Sequence, residues 1–199
     1  MDCKHKAFLV LVVSIYVIKL VIADFLIPSN LTLVDGSFYA NTNMRALIGA
    51  EPPTTFSVMK ATFAEFPALS AHSVSYAVIQ YPAGTVNPPH IHPRSSELMF
   101  LLTGTLIVGF IDDNNRLYVK TLQAGDMFVF PKGLVHYQYN SNNKESSFAI
   151  SAFASANAGT LSVPGDVFSA GLGDDVLAMA FKADFPTVQK IKAILAPTA

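Results

Sequence analysis

The sequence predicts an all-β protein, an antiparallel barrel or jelly roll, with short helices only toward its C-terminal end. Three observations carry this. Short runs rich in Val, Ile, Phe and Tyr recur from Phe56 onward, at 57–64, 74–81, 98–102, 106–111, 117–122, 127–130, 137–139 and 148–153. Turn formers separate them: Ala83-Gly84, Thr103-Gly104, Asp112-Asp113-Asn114-Asn115, Ala124-Gly125 and Pro131-Lys132-Gly133. No helical period intervenes, and so many short strands between turns close into a barrel or fold into two sheets. The run Asp112 to Asn115, flanked by apolar residues, is the clearest hairpin signal.

Taken in order, the chain opens with a basic Lys4-His5-Lys6, an apolar stretch over 7–18, and compact residues at Val21-Ile22-Ala23. That pattern is a secretory signal peptide spanning 1–23. Lys19 interrupts the run short of the roughly 20 apolar residues a membrane span needs. Of 13 basic and 14 acidic residues, cleavage removes Lys4, Lys6, Lys19 and Asp2, leaving 10 and 13, a net charge of −3. With no basic cluster, nucleic acid is excluded as a partner. The only cysteine, Cys3, lies in the leader, so the mature chain has no disulfide. Asn30-Leu31-Thr32 is a glycosylation acceptor in a secreted chain. Residues 24–54, rich in turn formers, form an extended arm with short strands. Residues 55–199 form one domain, and 199 residues in all suffice for a substantial core. From about Asp174 the period changes. Asp174 caps one helix with Val176, Leu177, Ala180 and Phe181 on a face, and Thr187 caps a second with Val188, Ile191 and Leu195, which Pro197 ends.

Four side chains carry the chemistry: His90, His92, Glu97 and His136. The first pattern runs Gly84, five residues, His90-Ile91-His92, four residues, Glu97, six residues, Gly104. The second runs Gly125, five residues, Pro131-Lys132-Gly133, two residues, His136, three residues, Asn140. On a strand, His90 and His92 point to one face. Pro88, Pro89 and Pro93 stiffen the backbone around them. Three neutral imidazoles and a carboxylate suit a divalent ion with open positions for water, O2 or a chelating substrate, unlike the closed, sulfur-rich sites of structural zinc. Mn and Fe both remain open on ligand identity. His5 and His72 read as ordinary solitary histidines.

The two patterns, 84–104 and 125–140, match the two cupin motifs without a gap. The wording Asn87-Pro88-Pro89-His90-Ile91-His92-Pro93-Arg94 resembles the germin and germin-like branch. So do Pro131-Lys132-Gly133-Leu134-Val135-His136-Tyr137-Gln138-Tyr139-Asn140 and 174–181. The resemblance implies a cupin jelly roll with a mononuclear Mn(II) site held by His90, His92, Glu97 and His136, with Fe(II) as the alternative. It also implies a secreted plant glycoprotein of the apoplast and cell wall, a homohexamer built as a trimer of dimers, acting in defence or stress.

Two departures bear on that. Germins carry a cysteine pair near the mature N-terminus, whereas Asp24-Phe25 is followed here by Leu26, so the arm is untethered. Oxalate oxidases of the family hold oxalate with two asparagines; one matches Asn87, and the other falls on Ala77. Alanine offers oxalate no polar group, so oxalate oxidase activity is not expected. Superoxide dismutation at manganese is the leading enzymatic reading. The others are a non-enzymatic wall-associated protein with a structural metal, and an Fe-dependent oxygenase.

Overall fold

The computed structural model describes residues 34–196. The leader at 1–23, Asn30 with its sequon, and Pro197 lie outside the described residues. Ten strands run in chain order: β1 (Ser57–Ala61), β2 (Ser75–Tyr81), β3 (Val86–Ile91), β4 (Glu97–Thr103), β5 (Thr105–Ile111), β6 (Leu117–Gln123), β7 (Met127–Phe130), β8 (His136–Tyr139), β9 (Ser147–Phe153) and β10 (Leu161–Ser162). All pairings are antiparallel, in two five-stranded sheets ordered β1-β2-β9-β4-β7 and β10-β3-β8-β5-β6. This is the jelly roll the sequence predicts.

The inward positions of each strand follow the two-residue period. In β9, Ser147, Ala149, Ser151 and Phe153 are buried and their neighbours half-buried. The core between the sheets is built from Tyr81, Met99, Leu101, Leu106, Val108, Leu122 and Phe130, with Ala77, Ile79 and Ala149 filling narrower gaps. Each large side chain among these contributes about 1.5–3 kcal/mol of burial. The predicted hairpin at 112–115 joins β5 to β6, with Asn115 at φ 59° and Asp112 Oδ1 accepting from the Asn114 and Arg116 amides.

Several expectations need correction. The described part of the arm, 34–54, contains a 3-10 turn at Asn43–Leu47 rather than short strands. Local side chains satisfy its backbone instead of a ladder: Asp35 Oδ1 accepts from the Ser37 amide, and Asn41 Oδ1 from the Asn43 amide. The first strand stops at Ala61, because Glu65 folds back to accept from both the amide and the hydroxyl of Thr62. The strand β3 is absent from the expected runs because Pro88-Pro89 interrupts its apolar pattern.

Three helices follow, one more than expected: α1 (Val163–Ser169), α2 (Asp174–Phe181) and α3 (Phe185–Leu195). Gly173, not Asp174, is the N-cap of α2, and Asp184, not Thr187, caps α3 by accepting from the Thr187 amide at 2.8 Å. In α2 the buried residues are Leu177 and Ala178, while Val176, Ala180 and Phe181 are exposed. Leu177 packs with Phe168 of α1 and Val188 of α3, and Ile191 and Leu195 lie against them as predicted. Among the described residues no helix is long and apolar enough to cross a membrane.

Candidate metal centre

The site is assembled from both sheets. His90, next to last in β3, lies directly across from His136 at the start of β8, while Glu97 opens β4 in the other sheet. His92 stands just past β3. In a regular strand Asn87 and His90, three apart, would face opposite sides. The register shifts between them: Asn87 pairs with Gln138 and His90 with His136, so two residues, Pro88 and Pro89, oppose Tyr137 alone. This bulge, at prolines that have no amide to donate, turns Asn87 and His90 to the same inner face.

The four predicted ligands come together. One donor atom from each of His90, His92, Glu97 and His136 lies within 4.8 Å of the others, and all four residues are buried. Each imidazole is held by its Nδ1, which donates to a backbone carbonyl: His90 to Pro88 at 2.8 Å, His136 to Leu134 at 2.8 Å, and His92 to Gly159 at 2.5 Å. That fixes the tautomer whose Nε2 lone pair is free to bind a cation. Glu97 is divided in the same way. Its Oε1 accepts from the Ser151 hydroxyl at 2.6 Å, which leaves Oε2 facing the imidazoles, 3.0 Å from His92 Nε2 and 3.3 Å from His136 Nε2. Phe130 stacks on His136 and Phe153 meets His92 edge-on, fixing both ring planes.

The donor set fits a divalent cation. His136 Nε2 is buried and has no hydrogen-bond partner, since its approach to Glu97 lacks hydrogen-bond geometry. A buried polar nitrogen of this kind is a cost unless something binds it. Donors about 2.1 Å from a single ion are at most roughly 4.2 Å apart, so shifts of a few tenths of an ångström suffice. Burial, followed by the neighbouring His136, pushes His90 down from 6.5 to about 4 and keeps it neutral. Burial alone would raise Glu97, but when His136 or His92 also carries a proton on Nε2, as in the acid, metal-free site, the imidazoles outweigh it and hold the carboxyl well below its usual range.

These shifts predict an acid weakness in metal-free protein. The unfolded chain protonates His90 near 6.5 and the folded chain only near 4. The unfolded state therefore binds more protons between those values. Stability is full above the upper value and falls through the window by on the order of 3 kcal/mol. The lowered Glu97 extends the loss further into acid. Urea unfolding of chelator-treated protein between pH 7 and pH 4 checks this; a midpoint that stays constant or rises on acidification contradicts it.

Sequence reasoning missed the parts that hold the ligands. Ser151 was visible only as an inward polar position in an apolar strand. Gly159 supplies a carbonyl from a loop braced by Arg94, whose Nε donates to Asn157 O at 2.7 Å and whose amide donates to Ala158 O at 3.1 Å. A second buried network joins Tyr81, Asn87 and Gln138: Gln138 Oε1 accepts from Asn87 Nδ2 at 2.7 Å and from the Tyr81 hydroxyl at 3.3 Å. Asn140, the last residue of the second pattern, is structural, its amide nitrogen donating to the carbonyls of Tyr81, Pro82 and Glu145. His72 lies in the loop before β2, outside the ligand group.

Beside the ligands opens a cavity of about 440 Å³, lined by Asn87, His90, His92 and Glu97 together with Ala77, Ile79 and Phe153 and by residues of β1. Ala77 thus stands on the wall of the same cavity as Asn87.

A two-sheet antiparallel jelly roll with a buried three-histidine, one-glutamate group opening to a cavity defines a barrel protein with a candidate metal site. Known proteins agree with that class. The Cupin family model matches residues 51–189. Germin-like protein 9-3 of Oryza sativa subsp. japonica is 52% identical over 184 residues, covering 89% of this chain and 86% of that protein. The rhicadhesin receptor of Pisum sativum is 42% identical over 172 residues, covering 85% and 77%. Among solved structures, oxalate oxidase in complex with the substrate analogue glycolate superposes with a TM-score of 0.76 at 29% identity, covering 87% of each chain. The chain belongs to the cupin family, in its germin-like branch.

Proposed function

We propose that this chain is a secreted manganese-binding germin-like protein of the plant apoplast and cell wall, acting in defence or stress, with superoxide dismutase activity and without oxalate oxidase activity. One observation carries the metal reading. All three Nδ1 atoms and one Glu97 oxygen are engaged by protein partners, and one donor atom from each of the four residues lies within 4.8 Å of the others. A manganese ion bound there would supply one-electron redox chemistry and Lewis acidity; Fe(II) is the alternative occupant.

The chain's own residues fix the rest. The pinned imidazoles would hold their donor atoms in place around a bound ion, and the apolar walls at Ile79 and Phe153 would limit water beside it. Oxalate needs polar groups for both carboxylates. Ala77 supplies none, and one of the two Asn87 amide hydrogens is already given to Gln138, which leaves a single donor to the cavity. The exposed helix residues Met179 (75%) and Ile194 (71%) support self-association, for which we propose the hexamer implied by the resemblance. Glycosylation at Asn30 completes the reading.

The test uses the full chain made in a secretory plant host and loaded with manganese. It is expected to remove superoxide beyond an equal concentration of free manganese, to lose that activity in His90→Ala, and to release no hydrogen peroxide from oxalate. Full manganese occupancy with no activity beyond the free ion contradicts the enzymatic reading. That outcome favours a wall-associated binding protein with a structural metal, a reading supported by the name of the pea relative. The ligands come from both sheets, so a bound ion would tie one to the other.

A further inference from the structure

The inner face of the first sheet carries one charge that the ligand group does not use. Cross-strand pairing sets Lys60 of β1 opposite Ala77 of β2, Ala77 opposite Ser151 of β9, and Ser151 opposite Met99 of β4. Residues paired in this way share a face, so Lys60 belongs to the same inward row as the serine that holds Glu97. Phe56, Val58 and Thr62, alternating with it along the chain, line the cavity beside it, as does Lys60 itself. Lys60 is exposed and, among the described residues, forms no ion pair. Its charge acts weakly on Glu65, whose carboxylate is held by Thr62. Ala77 is too short to fill the space in front of it. The ligand group and Lys60, the only cationic side chain of the lining apart from the histidines, thus share one cavity, whose walls include the apolar Phe56, Val58, Ala77 and Ile79.

We infer that Lys60 selects the ligand of this pocket by pairing with a carboxylate at the end remote from the metal; the inference rests on the metal reading above. The spacing points to a small dicarboxylate with an apolar middle, longer than two carbons. β1 lies three strand spacings from β4, which carries Glu97, roughly 14 Å between backbones, and the lysine stem and the glutamate side chain cover part of that distance. The cavity falls within the roughly 300–1,000 Å³ usual for small-ligand pockets. Apolar walls strengthen the attraction of the ammonium for an anion that enters. The alanine that removes a clamp for a short dianion leaves the lysine opposite it open to a longer one.

The experiment titrates manganese-loaded full-length protein with succinate and with butanoate, which lacks the second carboxylate. Wild type is expected to bind succinate roughly tenfold more tightly, the size of one charge-assisted bond. Lys60→Met removes the difference with manganese content unchanged, and Lys60→Arg restores most of it. Lys120→Met, on exposed β6 of the other sheet, leaves it intact. Equal affinities in wild type, or a preference that survives Lys60→Met, overturns the inference. So does an equal loss in Lys120→Met, which would reveal a bulk charge effect. An inward lysine on an edge strand can also serve to discourage strand pairing; in that case Lys60→Met changes the oligomeric state and not the ligand ratio, which again overturns the inference. Protein that takes up no metal contradicts both this inference and the reading beneath it, whereas full loading without dependence on Lys60 contradicts the inference alone.

Discussion

Replacing His136 with alanine is expected to lower manganese affinity by more than about 100-fold, beyond the 10–100-fold typical when only a residue supporting a ligand is lost. His136 is 1% exposed, stacks on Phe130, and carries a fully buried ligand nitrogen that the protein leaves without a hydrogen bond. Its removal takes away one of the four donors and leaves the apolar Phe130 face where the ring stood. The loss is also legible as stability. Metal at 100 times its dissociation constant stabilises the folded state by about 2.7 kcal/mol. For a domain of this size that raises Tm by roughly 5–10 °C. Wild type shows that rise on adding manganese, and His136→Ala shows almost none at the same concentration. Circular dichroism of the variant confirms that the strands persist, so that the lost shift reports the site and not the fold.

The largest effect expected away from the ligands is at Gly104. This residue, at φ 80°, turns the chain from β4 in one sheet to β5 in the other. A Cβ there would lie 2.9 Å from both Ser147 Cα and Ser146 O, and closer still to the Ser147 hydroxyl. The left-handed conformation costs an alanine about 1–2 kcal/mol, and overpacking against backbone adds about 1–3. Gly104→Ala is therefore expected to lose roughly 3 kcal/mol and to lower Tm by roughly 6–12 °C. The folded fraction should retain the manganese affinity of wild type, because no ligand is anchored at the corner. Thermal unfolding with and without metal measures both; an unchanged Tm would show that the corner relaxes freely.

The fold was legible where each strand obeys its own period. β2, β5, β6, β7 and β9 read directly from alternating or continuous apolar runs between turn formers. β3 did not, although it carries Asn87 and His90, because two prolines break its apolar run and the ladder bulges around them. The helix caps were misplaced for a similar reason. Asp174 and Thr187 are good capping residues, but Gly173 ends the preceding loop, and the carboxylate of Asp184 reaches the Thr187 amide first. In the site, side-chain chemistry and spacing pointed to all four members of the converging group. What holds them was hidden, since Ser151 and the Gly159 carbonyl arrive from 54 and 67 residues beyond their partners. Such pairings depend on sheet register, which a single sequence specifies only through the whole barrel. Lys60 was silent for the same reason: on its own it is one more exposed lysine, and only its pairing with Ala77 turns it toward the cavity.

The most direct test of the central claim, that His90, His92, Glu97 and His136 hold a metal ion, is elemental analysis of protein purified from a secretory plant host beside a His136→Ala variant. Wild type is expected to carry about one manganese ion per chain after extensive dialysis, and the variant almost none. Wild-type protein free of any first-row metal, or a variant that retains the same content, would contradict the account.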